Sequence, residues 1–188
     1  MFSNLSDFVD LVEVAPRDGL QNEKQVISTQ DKFTFISKLV DSGLKSIEIA
    51  SFVKPSAVPQ MADAKELAQK VMNQLAGAAN FPCLIPNLRG LEAAKIVGVK
   101  EIAVFSATSN TFNHKNINTD VDGSFDRIIP LVSEARSCGM RVRAYISTAF
   151  GCPYEGNISQ AQLMAVVERF LKIGVDSVSI GDTTGVAT

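Results

Sequence analysis

The chain has 188 residues, 46% of them apolar and 20% charged, with 18 Lys and Arg against 20 Asp and Glu. At roughly 100–200 residues per domain it is bounded to one domain, and its composition is that of a folded globular protein. A net charge of −2 argues against a nucleic-acid-binding protein, which carries a basic face, and no apolar run approaches the roughly 18 residues of a membrane span.

The opening MFSNLSDF has no basic cluster and no long apolar stretch, so no signal or transit peptide is expected. DLVEVA, residues 10–15, predicts a first strand. Phe33, Phe35, Ile36, Leu39 and Val40 recur near helical spacing, which predicts a helix over 30–42 stopped by Gly43. KSIEIA, 45–50, predicts a second strand, followed by a helix at about 61–76. FPCLI, 81–85, is a third strand, with a short helix from Leu88 to Val97 ended by Gly98. EIAVFSA, 101–107, is a fourth strand, followed by a helix over 123–138. RVRAYIST, 141–148, is a fifth strand. Ser159 is placed to cap a helix over 159–173 that Gly174 closes, and SVSIGD, 177–182, is a sixth strand.

Six strands alternating with five helices predict a parallel α/β sheet with crossover helices. A doubly wound sheet and a barrel both fit that string. No glycine fingerprint follows the first strand and no GxxxxGK[ST] loop occurs. Cys83, Cys138 and Cys152 match neither a zinc pattern nor a disulfide framework, so a reducing cytoplasm is the expected home. Cys83 and Cys138 read as buried small residues. Asn4 and Asn157 head N-x-S sequons, without meaning in the absence of a secretory signal. His114 is the single histidine and reads as an exposed loop residue.

VEVA at 12–15 echoes IEIA at 47–50. Neighbouring strand residues point to opposite faces. If Val12, Val14, Ile47 and Ile49 pack under helices, Glu13 and Glu48 point the other way. On the fifth strand Val142 and Ala144 pack outward, leaving Arg143 and Tyr145 inward. On the sixth, Val178 and Ile180 pack outward, Ser179 points inward, and Asp182 sits at the C-terminal end. A lumenal carboxylate is costly unless paired with a cation or metal. The bland alternative is a structural ion pair of Arg143 with Glu13 or Glu48. Polar groups converging at the C-terminal strand ends instead suit a barrel active site.

Ala15-Pro16-Arg17-Asp18-Gly19-Leu20-Gln21-Asn22-Glu23 follows the first strand. An Arg-Asp pair there suits metal-assisted chemistry, with a carboxylate for a hard cation and a guanidinium for oxyanion charge. Together with IEIASFVKPSAVPQMADA at 47–64, IPNLRG at 85–90, KNIN at 115–118, GCPYEG at 151–156 and IGDTTGV at 180–186, this stretch resembles the 3-hydroxy-3-methylglutaryl-CoA lyase family, within a superfamily of metal-dependent barrel lyases and synthases. The matching segments run in order from about residue 9 to the last residue.

The resemblance implies a (β/α)8 TIM barrel, here as a single incomplete catalytic domain over 1–188 reaching strand six. It implies cleavage of 3-hydroxy-3-methylglutaryl-CoA to acetyl-CoA and acetoacetate, as in leucine degradation and ketone-body formation, with Mg2+ or Mn2+. By position Asp18 matches the metal-binding aspartate, Arg17 the arginine facing the enolate, Glu48 a second active-site acid, and Asp182 the acid implicated in proton transfer at the tertiary hydroxyl. Ser51, Ser179 and Thr183 match acyl-pocket positions, and Gln21 and Arg143 also fall at active-site positions. Lys24, Lys54 and Lys115 could meet coenzyme A phosphates or be solvated surface lysines. The family's strand-seven His-x-His pair, its GLGGCP cysteine and an asparagine near strand eight do not occur in this sequence, and neither His114 nor Cys152 replaces them. The resemblance also implies a homodimer for the complete protein. These 188 residues alone are expected to be inactive and either poorly stable or self-associating through open strand edges. The alternatives are a Claisen-type synthase acting on a 2-keto acid and acetyl-CoA, and a non-catalytic shortened remnant.

Overall fold

The structure is a computed structural model and describes residues 6–187. The strands are β1 (Val12–Glu13), β2 (Ser46–Ile47), β3 (Ala50–Ser51), β4 (Cys83–Leu84), β5 (Glu101–Ala107), β6 (Arg141–Ser147), β7 (Gly151–Cys152), β8 (Gly156–Asn157) and β9 (Ser177–Ile180). The α-helices are α1 (Thr29–Asp41), α2 (Ala64–Gln74), α3 (Leu88–Val97), α4 (Asn110–Ile117), α5 (Val121–Ser137) and α6 (Gln160–Lys172).

The parallel strands pair in chain order, β1 with β2 and then β3-β4-β5-β6-β9. No strand order reverses, so the doubly wound alternative, which needs a switch point, does not hold. Outward residues of successive strands, among them Ile47, Ile49, Cys83, Ile102, Val104, Val142, Ala144 and Ile146, form one buried cluster with Ile36 of α1, Leu67 of α2, Leu91 of α3, Leu131 of α5 and Phe170 of α6. The helices therefore sit on one face of a singly wound sheet, which is the construction of a TIM barrel. No described helix is long and apolar enough to cross a membrane.

The helix ends follow local chemistry. Ser28, Asn87, Asp120 and Ser159 cap α1, α3, α5 and α6 by accepting backbone N–H groups. Ser159 and Gln162 complete a reciprocal capping box. Asp120 starts α5 two residues earlier than expected, while Pro59 opens a 3-10 turn over Pro59–Met61 and delays α2 to Ala64.

Two elements depart from expectation. The Asn-rich stretch after the fourth strand is the helix α4, not a loop, capped by Ser109 and ended by Asn118 at φ 53°. It lacks an apolar stripe, and a buried Asn113 ties it to Ser106 of β5 at 3.2 Å. GCPYEG folds into the antiparallel β7–β8 hairpin. Glu155 at its tip accepts the Thr111 N–H of α4 at 2.7 Å, which holds that carboxylate below its usual range, with the Thr111 side chain as the largest cause. Tyr154 of the hairpin packs 6.3 Å from Phe112 of α4.

The second strand is broken by a bulge. Ser46 bridges Asn80 and Ala50 pairs with Cys83, so the step from 46 to 50 lies opposite the shorter step from 80 to 83. One extra residue breaks the alternation of faces. Ile49 and Ala50 both join the outer core, and both Glu48 and Ser51 are turned inward.

Candidate active site

Immediately after β1 the chain winds through one π-helical turn, Ala15–Gly19, opened by Pro16. The Asp18 N–H bonds back to the Val14 carbonyl at 2.7 Å, which turns Arg17 inward, where it is 8% exposed, and leaves Asp18 exposed. Arg17 Nε donates to Glu48 Oε1 at 2.5 Å, and its Nη1 donates to Asp18 Oδ1 at 2.5 Å. The second oxygen of Glu48 accepts from the Tyr145 hydroxyl at 2.7 Å. The guanidinium lies over the Tyr145 ring, 5.7 Å from its centroid.

Glu48 is wholly buried, and both its oxygens are occupied by donors. Burial works against the charge on Arg17, but the Glu48 and Asp18 carboxylates outweigh it and hold the guanidinium above its usual value. Burial, and then the Glu48 charge, push the Tyr145 phenol well up. The same two causes raise the buried Cys83 thiol, which stays neutral.

This geometry rules out the alternative of a structural ion pair between Arg143 and Glu13 or Glu48. Arg17, not Arg143, neutralises Glu48. Arg143 lies one layer nearer the strand N-termini than Tyr145, with its Nε 4.0 Å from Glu101 and without a hydrogen bond. Glu101 is held instead by Arg141 and by Asn80. Arg143 and Glu101 line a cavity of about 510 Å3 at the N-terminal strand ends, on the opposite side from the Arg17 turn. Glu13 is spent locally, accepting the Ala15 N–H at 2.7 Å.

Ser51 is fully buried and its hydroxyl has no hydrogen-bond partner. Buried polar groups are rarely left so, and an orphan on the inner face marks a place for a ligand. Ser179 is paired in register with Tyr145, which in turn pairs with Phe105, so Ser179 faces inward as expected. Ile180, expected to pack outward, is 48% exposed. Gln21 is half-buried in the helical turn that continues past Gly19.

Thr183 accepts the Thr148 N–H at 2.8 Å. Thr148 is buried with φ 57°, a left-handed conformation that a β-branched residue adopts only under strain. Thr108 holds it by donating to its carbonyl at 2.7 Å. Asp182 is exposed, and its carboxylate accepts the N–H groups of Val186 at 3.1 Å and Ala187 at 2.9 Å. The Ala187 bond is the largest cause that lowers its pKa. His114 is exposed as expected, but on α4 rather than in a loop. Cys138 is exposed, not buried, because it terminates α5.

Tyr145 is the functional side chain that sequence reasoning read as inward but left without a role. Strand alternation was its signal. The strained Thr148 had none. Among the described residues no cluster of three His, Cys, Asp or Glu side chains could hold a metal ion. Asp18 presents one exposed carboxylate, shared with Arg17. Hard divalent cations take about six oxygen ligands, so these residues do not make a metal site by themselves.

Known proteins give this arrangement a context. The family description "HMGL-like" matches residues 8–188. Human mitochondrial hydroxymethylglutaryl-CoA lyase is 46% identical over 180 residues, covering 96% of this chain and 55% of the relative. The crystal structure of hydroxymethylglutaryl-CoA lyase from Pseudomonas aeruginosa superposes with a TM-score of 0.91 at 45% identity, covering 96% of this chain and 59% of that one. An HMG-CoA lyase structure from Acinetobacter baumannii, in complex with coenzyme A and 3-methylmalate, gives 0.89 at 33% identity and covers 98% and 60%. The chain thus spans somewhat over half the length of these relatives.

Proposed function

The chain belongs to the HMGL-like family, and from that premise we propose that it carries the Arg17 half of a carbon-carbon lyase site. The substrate is an acyl-CoA, 3-hydroxy-3-methylglutaryl-CoA, and the products are acetyl-CoA and acetoacetate. The observation that carries this reading is the buried Arg17–Glu48–Tyr145 cluster beyond the end of β1.

Cleavage removes the proton of the C3 hydroxyl, breaks the C2–C3 bond and moves its electron pair onto the thioester as an enolate. The C3 carbon becomes the ketone of acetoacetate, and a proton delivered to C2 completes acetyl-CoA. Arg17 faces the enolate oxygen. Two of its five N–H groups are spent on Glu48 and Asp18, which leaves others for the developing charge. Each Glu48 oxygen already holds one donor, so Glu48 acts by fixing Arg17, and Tyr145 fixes Glu48. Ser51, Ser179 and Thr183 line the acyl side and Gln21 flanks it, while Arg143, in the cavity at the opposite strand ends, takes no part. Asp182 supplies a carboxylate at the rim for proton transfer at the hydroxyl.

Asp18 is the carboxylate this chain offers a divalent cation, Mg2+ or Mn2+, which would acidify and orient the hydroxyl. The described residues do not complete such a site, and the steps above belong to side chains of this chain. Exposed Lys24, Lys54 and Lys115 are candidates for the coenzyme A phosphates. The three unpaired cysteines fit a cytoplasmic setting, and a homodimer is the proposed assembly.

The test is acetoacetate release from 3-hydroxy-3-methylglutaryl-CoA with Mg2+, measured on this chain and on the longest protein its gene encodes. Release abolished by Arg17→Met supports the reading. No release from either protein overturns it.

A further inference from the structure

Lys32 is among the largest fully buried side chains in the described protein, 1% exposed, and lies on α1 outside the cluster around Arg17. Burying an ammonium is costly unless every donor is used well. Lys32 Nζ donates to the Gln60 carbonyl at 2.5 Å and to Asp63 Oδ1 at 2.6 Å. The other oxygen of Asp63 accepts from the Thr29 hydroxyl at 2.8 Å, so both ends of the pair are anchored to α1. An apolar side chain would fill the same space without that cost. What the lysine adds is a fixed position for the backbone of the 3-10 turn.

That turn reaches the catalytic loop. Gln60 Nε2 donates to the Glu23 carbonyl at 2.6 Å. Glu23 ends a segment in which its own N–H bonds to the Leu20 carbonyl, and Asn22 Nδ2 donates to the Asp18 carbonyl at 2.8 Å. The loop is thus held by β1 at one end and by Gln60 at the other, with Arg17 and Asp18 between. The LQNE and VPQM stretches are in direct contact through this hydrogen bond.

We infer that Lys32, Asp63 and Gln60 form a clasp that positions the Arg17–Asp18 loop for the reaction. None of the three touches the reacting atoms. The inference rests on the lyase reading for its catalytic consequence, but not for its structural one.

Amide hydrogen exchange and steady-state kinetics test it together on the protein as its gene encodes it. Gln60→Glu keeps the shape and replaces the donor with an oxygen facing a carbonyl, whereas Gln60→Lys restores a donor. Gln60→Glu is expected to speed exchange of the 17–24 peptide about tenfold, the equivalent of one lost hydrogen bond, with the α2 peptide unchanged. kcat for acetoacetate release falls about tenfold with little change in KM, since the loop acts in the transition state. Gln60→Lys recovers most of both. Should Gln60→Glu fail to fold, Gln60→Met removes the amide and its donor without adding a charge and decides the same question. Unchanged exchange at 17–24 overturns the clasp, and so does faster exchange with unchanged kcat. If the unsubstituted protein releases no acetoacetate, the lyase reading fails alone, and the exchange result still decides whether the clasp exists.

Discussion

Glu48 and Ser51, an odd number of positions apart on one strand path, face the same side of the sheet. Regular alternation forbids this, and the bulge between β2 and β3 permits it. The consequence is one inner surface carrying a carboxylate with a donor on each oxygen and a hydroxyl with no partner. The first is structural support for Arg17. The second is unused binding capacity.

Ser51→Ala therefore separates stability from function. Removing a buried, unpartnered oxygen costs the fold nothing and stabilises it by up to about 1 kcal/mol. The thermal midpoint is expected to hold or rise, while KM for the acyl-CoA rises severalfold. A fall in the midpoint would show that the hydroxyl is satisfied in solution.

The Arg17–Glu48–Tyr145 cluster ranks its own substitutions. Glu48→Leu leaves a buried guanidinium with Asp18 as its remaining partner and is expected to cost about 3 kcal/mol. Tyr145→Phe removes one hydrogen bond to a charged group, about 1.5 kcal/mol. Arg17→Lys cannot reach both carboxylates with one fixed planar fork and is expected to lose activity even where it folds. Urea denaturation of Glu48→Leu and Tyr145→Phe checks the order. Tyr145→Phe costing more than Glu48→Leu would contradict the assignment of Glu48 as the centre of the cluster.

Asp182 carries a pH dependence of defined sign. Its carboxylate accepts two backbone N–H groups of its own loop, which lowers its folded-state pKa below the unfolded one. The order it gives to residues 182–187 is present above the ordinary aspartate range and is lost as pH falls through the depressed value. The Val186 and Ala187 amide resonances should shift together on acidification, with a midpoint below that of an exposed aspartate. Asp182→Asn should flatten the titration. A midpoint at or above the ordinary aspartate range would break the link.

The course of the chain was legible wherever apolar spacing was regular. β5 and α3 fall on the residues expected of them, because each carries its own signal: a short, nearly continuous apolar run in the one, Asn87 and Gly98 in the other. α4 was not legible, since tertiary bonds through Asn113 hold it rather than an apolar face. Periodicity alone leaves the barrel and the doubly wound sheet open; the family resemblance implies the barrel, and the strand order, a non-local property, agrees with it. In the site, RDG pointed to Arg17 and Asp18, and strand alternation to Glu48 and Tyr145. The partner of Glu48 was not legible because a π-helical turn, which no short pattern announces, brings Arg17 back over the strand. Arg143 looked equally suitable from periodicity, yet it faces Glu101 a layer away.

Metal binding by these residues alone is expected to be weak. Asp18 is 55% exposed at its side chain and already shares one oxygen with Arg17 at 2.5 Å. A neighbouring guanidinium repels a cation, and a single carboxylate supplies few of the oxygens Mn2+ seeks. Titration of Mn2+ into the 188-residue chain, followed by its electron paramagnetic resonance signal, should give a dissociation constant weaker than about 10−4 M. Asp18→Asn should weaken it further, while Asp182→Asn leaves it unchanged. Tight binding that survives Asp18→Asn would locate the metal on other residues and remove Asp18 from the proposed site. Tight binding lost in Asp18→Asn would show that carbonyl and water ligands complete the site within this chain.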